Sequence, residues 1–192
     1  MKKRMYHGIT ILACLTALSL PALADEAQLL EEARGIASKM PPKLLEVLDA
    51  EIKKSGHAEA MAVCREKAPQ MAKALSEQTG WAIRRVSLKN RNPKAVPDAW
   101  EKTVLEDFDR RAAAGEKPTG LESGAIVEMD GKKYYRYMKA LPTQDLCLNC
   151  HGMPDRVDAE VKAKLKELYP EDKATGYGPA EIRGAITARK PL

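Results

Sequence analysis

The pentapeptide Cys147-Leu148-Asn149-Cys150-His151 constrains this chain of 192 residues more than any other feature. Two thiols separated by two residues can add to the two vinyl groups of one porphyrin, and a His directly after the second thiol then lies beneath the iron. C-x-x-C-H is therefore the pattern of covalent heme attachment. It predicts one covalently bound heme c, held by Cys147 and Cys150 and ligated by His151, with the heme forming part of the core.

Two other chemistries use the same thiols. Cys147 and Cys150 could form a C-x-x-C redox disulfide. They could also supply half of a zinc site, with Cys64 and His57 as the remaining ligands. Heme attachment is favoured over both because a second feature, at the other end of the chain, agrees with it.

That second feature is the N-terminus, where Lys2, Lys3 and Arg4 precede an apolar run over about residues 8–20 and the small-residue pattern Ala22-Leu23-Ala24. The pattern predicts a secretory signal peptide, residues 1–24, cleaved before Asp25. The run is short for a membrane span, and no later stretch is apolar enough, so no stable membrane insertion is expected after cleavage. Cys14 faintly resembles a lipoprotein signal, but the Ala-x-Ala site fits better.

Export and heme attachment support each other. Heme is ligated to C-x-x-C-H on the outer side of the bacterial cytoplasmic membrane, where free thiols would otherwise be oxidised. The sequence therefore predicts a periplasmic protein.

The charge of the chain argues against nucleic-acid binding. The whole sequence has 32 Lys and Arg against 27 Asp and Glu, a net charge of +5. Without residues 1–24 the basic count falls to 29 and the net charge to +2. The remaining positive charges are interleaved with acidic residues and form no sustained basic stripe.

Residues 25–192 are enough for one domain with its own core. Apolar residues recur at helical spacing from Glu26 to about Gly80, with an expected break at Pro41-Pro42. A third helix is predicted from His57 to Gln78, with a kink or restart near Lys67 and Ala68 because of Pro69. Cys64 lies just before that restart.

The rest of the chain alternates strands with helices. Strands are predicted over about 81–88, 124–129, 132–141 and 181–188, the middle two joined by the hairpin turn Asp130-Gly131. Helices are predicted from Asp98 to about Gly115 and from Asp158 to Leu168. This order indicates an α+β fold with a small antiparallel sheet.

The second axial ligand of the iron is not fixed by the motif. After signal removal the candidates are His57, Cys64 and the methionines Met61, Met71, Met129 and Met138. With Cys147 and Cys150 bonded to heme, Cys64 is an unpaired thiol in an exported protein, which is uncommon without a use. A buried, inert thiol is the other interpretation of Cys64.

Several stretches together resemble a known family: Ala62 to Pro69, Arg85 to Pro93, Gly176-Tyr177 and Ile182 to Ile186, around a late C-x-x-C-H. They look like the exported PAS-like single-heme c-type cytochromes first known from cyanobacteria. The resemblance spans nearly the whole mature chain. It implies a PAS-like antiparallel sheet with N-terminal and flanking helices, and heme between His and Cys axial ligands. Carried over by motif, these ligands are His151 and Cys64.

Other residues near the heme follow from chemistry alone. Arg84, Arg85, Arg91 and Lys89 could neutralise the propionates. Tyr134, Tyr135 and Tyr137 alternate on the strand before the motif, so they could pack on the porphyrin or simply within the sheet.

The function expected from these features is one-electron transfer by a periplasmic monoheme cytochrome c, with a partner protein that the sequence does not identify. Thiolate ligation should depress its potential. The alternative is a redox or gas sensor that acts through a separate protein. No enzymatic activity is expected, since no base or substrate motif accompanies the heme motif. A homodimer is left open.

Overall fold

A computed structural model describes residues 21–192 of the chain. The predicted signal peptide, apart from residues 21–24, lies outside the described residues, and so does Cys14. The helices are α1 (Pro21–Glu59), α2 (Ala68–Thr79), α3 (Ala99–Ala113), α4 (Asp145–His151) and α5 (Ala159–Leu168). The strands are β1 (Ala82–Val86), β2 (Glu122–Met129), β3 (Lys132–Pro142) and β4 (Ile182–Pro191).

The four strands form one antiparallel sheet in the order β1-β4-β3-β2. The last strand of the chain therefore lies inside the sheet, between the first strand and the hairpin. The predicted α+β class with an antiparallel sheet is confirmed. The predicted hairpin is also present, because Asp130 and Gly131 both take the positive φ values (52° and 71°) that a tight two-residue turn requires.

Helices cover both faces of the sheet. Alternate residues of a strand point to opposite faces, and Tyr135 and Tyr137 pack with Trp81 and the helices α1 and α2. Met138 and Ala140 of the same strand pack with Phe108 of α3. Tyr135 and Tyr137 are almost fully buried in this helix–sheet interface, so their role is sheet packing.

The expected break at Pro41-Pro42 is wrong. Helix α1 runs through both prolines, and its backbone departs from helical geometry only at Gly56 (φ 82°, ψ 171°). Proline removes two backbone donors from the helix but does not prevent it from continuing where packing holds both sides. Here Ala37 and Met40 are buried just before the prolines, and the residues that follow line the cavity described below.

The restart predicted near Lys67 and Ala68 is confirmed. Residues Val63–Lys67 form a π-helical turn, and α2 begins at Ala68 with Pro69 in its first turn. A proline in the first turn costs no hydrogen bond, because that amide has no partner within the helix. Cys64 lies on the π-helical turn, a rare conformation that is concentrated at functional sites.

Within residues 21–192, no helix combines the length and the apolar composition that a membrane crossing requires.

Candidate functional site

A cavity of about 1240 Å³ lies beside the sheet, among the described residues. It exceeds the usual range of about 300–1,000 Å³ for small-molecule pockets. Its wall includes residues of α1, the π-helical turn, β1, α4 and β4. All four residues singled out from the sequence, Cys64, Cys147, Cys150 and His151, border it.

The C-x-x-C-H segment lies on α4, a helix of two turns that was not predicted from the sequence. The helix ends at His151, and the amide of Gly152 donates to the backbone oxygen of Leu148. A Cβ atom at position 152 would lie 2.5 Å from that oxygen. Glycine is therefore needed where the chain leaves the helix directly after His151.

The imidazole of His151 is held in one orientation. Its Nδ1 atom lies 2.7 Å from the backbone oxygen of Ala174, and a carbonyl oxygen can only accept. The proton therefore sits on Nδ1, which leaves the lone pair of Nε2 for a metal. The Nε atom of Arg183 also lies 3.1 Å from Nδ1, but a protonated Nδ1 cannot accept from it, so we regard this second contact as packing.

Electrostatics keep this imidazole neutral. Burial lowers the pKa of His151 well below its usual value, and the nearby charges of Arg183 and Arg91 lower it further. A neutral imidazole is the form that ligates metals.

Arg91 joins the two chain segments that position His151. Its guanidinium donates to the backbone oxygens of Cys150 (2.7 Å) and Ala174 (3.3 Å). It also pairs with Asp172 at 3.0 Å, and both side chains are about one-tenth exposed. Asp172 in turn accepts from the amide of Ala174 at 2.9 Å. The end of α4 and the loop carrying Ala174 are thereby fixed to each other.

Cys64 faces the cavity from the π-helical turn. The residue is solvent-accessible because it borders the cavity, yet protein atoms surround the thiol on its other sides. This burial raises the pKa of Cys64, while the charges of Arg85 and Arg91 act in the opposite direction. Burial likewise raises the pKa of Cys150 to about 11.

The other candidates for a second ligand divide into two groups. His57 and Met61 border the cavity with Cys64. Met71, Met129 and Met138 do not border it; Met138 is fully buried in the α3 side of the core. Geometry thus reduces the candidates for the second axial ligand from six to three, namely His57, Met61 and Cys64.

The alternative chemistries of the thiols find little support. Cys64, Cys147 and Cys150 are all free thiols. Among residues 21–192, no three side chains of His, Cys, Asp or Glu come together in a group that could hold a metal ion. The geometry therefore favours neither the disulfide nor the zinc site.

The cavity wall is apolar on one side and basic elsewhere. Helix α1 contributes Leu44, Leu45, Leu48 and Ile52, all only partly covered by protein. The wall contains eight basic side chains but one acidic side chain, Glu171. The basic residues are Arg65, Lys73, Arg84, Arg85, Arg91, Lys94, Lys139 and Arg183. Such a wall suits a ligand with an apolar body and negatively charged groups.

Three of the four side chains proposed for the propionates, Arg84, Arg85 and Arg91, border the cavity. Lys89 does not; its ammonium lies 4.7 Å from the ring centre of Tyr177.

Sequence reasoning missed Arg183, Asp172 and Ala174. Arg183 is 6 % exposed although it lies in the apolar strand β4, where it donates to Ser87 Oγ at 3.0 Å. A charged residue within such an apolar run was the available signal. Ala174 acts through its backbone oxygen, and every residue has one, so its side chain gives no signal in the sequence.

The fold and the cavity together define a class: small α+β proteins that surround a large cavity with thiols, an imidazole and arginines. Residues 21–191 match the Tll0287-like family (Tll0287), and the chain belongs to that family.

A solved structure, the crystal structure of the cyanobacterial heme-protein Tll0287, has a similar fold, with a TM-score of 0.60 and 22% sequence identity. The similarity covers 91% of this chain and 98% of that one. No curated protein matches the chain.

Proposed function

We propose that this protein is an exported monoheme c-type cytochrome that carries one electron. Cys147 and Cys150 would attach the heme, and His151 and Cys64 would ligate its iron. The observation that carries the proposal is that these four residues border a single cavity. Cys64 precedes the other three by 83 or more positions in the sequence. The relative Tll0287 is described as a heme-protein, which supports the same cofactor here.

The residues present fit a heme. The cavity is large, one wall is aliphatic, and basic side chains outnumber acidic ones eight to one. A heme has an apolar ring and two carboxylates, which match these walls. When bound, it would supply an iron that alternates between the ferric and ferrous states.

The chain's own residues have separate tasks in this proposal. The carbonyl of Ala174 holds the Nδ1 proton of His151, so that Nε2 keeps its lone pair. The stripe Leu44, Leu45, Leu48 and Ile52 excludes water from one side of the cavity. Cys64 would supply sulfur from a site where burial raises the pKa of the thiol and the charges of Arg85 and Arg91 oppose that rise. If the thiol bound as a thiolate, it would favour ferric iron and a low potential.

The test is to export the mature protein from a host with cytochrome c maturation and to record ferric and reduced spectra. A denaturing gel stained for heme should show the band, and Cys147→Ser with Cys150→Ser should remove it. Cys64→Ala should change the ferric spectrum and raise the potential. His57→Ala and Met61→Leu, the matched controls at the same cavity, should change neither. A colourless protein would end the heme proposal, and an unchanged spectrum of Cys64→Ala would remove Cys64 from the iron.

One observation favours a second function, a redox or gas sensor. Cys64 lies on a π-helical turn directly before α2, and π-helical turns are rare and frequently occur at functional sites. Release of the Cys on reduction would then move α2 and signal to a partner protein. Carbon monoxide distinguishes the two functions: the reduced carrier should not bind it, whereas the reduced sensor should bind it rapidly.

A redox partner protein and a periplasmic location are part of the proposal and rest on the sequence. Exposure of the purified mature protein to candidate donors in the periplasmic fraction, with the heme spectrum as readout, tests the partner. Detection of the protein in that fraction of the native cells tests the location.

A further inference from the structure

Arg85 is a basic residue of the cavity wall without a partner. Its Nε atom is enclosed by protein and has no hydrogen-bond partner among the described residues. Burial lowers the pKa of Arg85, and the groups that favour its charge are the thiols of Cys64 and Cys147 and the Tyr177 hydroxyl. No carboxylate is among them. Arg85 as a whole is only partly covered and borders the cavity. A guanidinium whose Nε is enclosed by protein and has no carboxylate beside it is costly, so an anionic ligand would stabilise it.

The neighbouring basic residues are already satisfied. Arg84 pairs with Glu101 and donates to the backbone oxygens of Lys94 and Val96. Arg91 pairs with Asp172. Arg183 donates to Ser87 Oγ and to the backbone oxygen of Lys89.

Two further basic residues of the wall differ from Arg85 in exposure. Arg65 and Lys94 are exposed, and water can solvate them. Lys73 pairs with Glu77, and Lys139 lies 3.8 Å from Glu122. Arg85 is therefore the basic side chain of this wall that has an enclosed nitrogen without a hydrogen-bond partner among the described residues.

The position of Arg85 on β1 points it at the cavity. Ile83 and Arg85 share one face of the strand, and Arg85 pairs in register with Ile186 of β4. Ile83 and Ile186 both pack on the α1 side of the sheet and border the cavity. The guanidinium thus lies on the sheet face from which the cavity opens.

We propose that Arg85 binds a carboxylate of the cofactor, one of the two heme propionates, and thereby sets the orientation of the ring in the cavity. This inference rests on the proposed function. An Arg–carboxylate pair combines opposite charge with two parallel hydrogen bonds, which a Lys or a neutral amide cannot reproduce. Arg85 is a binding residue in this scheme, distinct from the residues that hold the iron.

The experiment uses the full mature chain made without heme, in a host that lacks cytochrome c maturation. Two probes are titrated under identical solvent conditions: ferric protoporphyrin IX, and its dimethyl ester, in which both propionates are neutral. Absorbance of the bound porphyrin gives the two affinities. The wild-type chain should bind the free acid at least about tenfold more tightly than the ester, since hydrogen bonds to charged groups contribute about this much or more.

Arg85→Gln should weaken binding of the free acid by about tenfold and leave binding of the ester unchanged, so the preference disappears. Arg85→Lys should keep part of the preference. Lys94→Gln removes an exposed charge of the same cavity and should keep the full preference for the free acid over the ester. Circular dichroism checks that each variant folds, and the comparison of the two probes on the wild type does not depend on any variant.

Three outcomes would overturn the proposal. If the wild type binds both porphyrins equally, the cavity recognises no propionate although it accepts the ring. If Arg85→Gln retains the full preference, another residue binds the carboxylate and Arg85 serves the thiols beside it. If neither porphyrin binds, the proposed function fails together with the role of Arg85. In the first two outcomes the cavity still binds a porphyrin, so only the role of Arg85 fails.

Discussion

The Nδ1 atom of His151 lies 2.7 Å from the backbone oxygen of Ala174, a residue 23 positions further along the chain. The proposed iron ligand is thus oriented by the loop between α5 and β4, and not by its own helix. Asp172 and Arg91 hold that loop in place. The integrity of the site therefore depends on a buried ion pair that touches neither thiol.

We predict that Asp172→Asn lowers the free energy of unfolding by about 3 kcal/mol, because it leaves the buried Arg91 without its counter-charge. Urea unfolding of the heme-free chain measures this loss. Asp155→Asn, an exposed residue of the neighbouring segment, should change stability by less than about 0.5 kcal/mol. Equal effects of the two substitutions would show that the Arg91–Asp172 pair does not stabilise the fold.

A second buried charge lies on the other side of the sheet. Glu101 is 2 % exposed; it pairs with Arg84 and with Arg136 at 3.1 Å, and accepts from the amide of Asp98 at 2.9 Å. Glu101→Gln should cost about 3 kcal/mol or more in urea unfolding, since Arg84 loses its carboxylate partner and Arg136 keeps only Asp98. Glu106→Gln, on the same helix but exposed and 3.7 Å from Lys102, should cost less than about 1 kcal/mol. A small loss for Glu101→Gln would contradict the structure.

Gly184 is required by close packing in the sheet. It has a φ of 146°, and a Cβ atom there would lie 2.2 Å from the backbone oxygen of Val86. Gly184→Ala should therefore lower the melting temperature markedly, with a cost of about 2 kcal/mol or more. Gly35→Ala is the opposite case, because Gly35 lies inside α1 with no atom within 4 Å of the added carbon. It should stabilise the protein by up to about 1 kcal/mol.

The stability of the α1–sheet interface should depend on pH through Glu32. The indole of Trp81 donates to its carboxylate at 2.9 Å, and Lys190 lies 3.0 Å away. Both lower the pKa of Glu32 below its usual value of 4.5. A carboxyl whose pKa is lower in the folded state stabilises the fold above its unfolded pKa, and this contribution is lost as pH falls through the folded pKa.

Glu32→Gln keeps an acceptor for Trp81 but removes the charge. It should be modestly less stable than wild type at pH 7, by under about 1 kcal/mol because the site is partly exposed. The difference should vanish as the pH falls below 4.5 and the wild-type carboxyl protonates. Melting curves of both proteins between pH 3 and pH 7, roughly the window of carboxyl titration, measure it. A difference that persists at the acid end would show that the charge is not its cause.

Local patterns predicted most of the secondary structure, because the signals were short-range. Alternation on β3, the Asp130-Gly131 turn and the restart before Pro69 each depend on a few neighbouring residues, and each is present. The prediction failed at Pro41-Pro42, where the loss of local hydrogen bonds is outweighed by packing that a local pattern does not contain. Helix α4 was not predicted, because its seven residues are too few to show a helical period in the sequence.

The candidate site was predictable where side-chain chemistry is unusual. C-x-x-C-H and an odd thiol pointed to Cys147, Cys150, His151 and Cys64, and the structure brings all four to one cavity. Their roles as ligands stay predictions. The supporting residues were not predictable, because Ala174 contributes only a backbone oxygen and Asp172 acts through a tertiary contact with Arg91.

The place of β4 in the sheet has a consequence for how this protein is made. Since β4 lies between β1 and β3, a nascent chain that lacks residues 182–191 carries one isolated strand and one isolated hairpin. Cys147 and Cys150 precede that segment in the chain, so under the proposed export both thiols would cross the membrane before the sheet can close. This order would leave an interval in which the proposed prosthetic group could be joined to an open chain and then enclosed by the final strand.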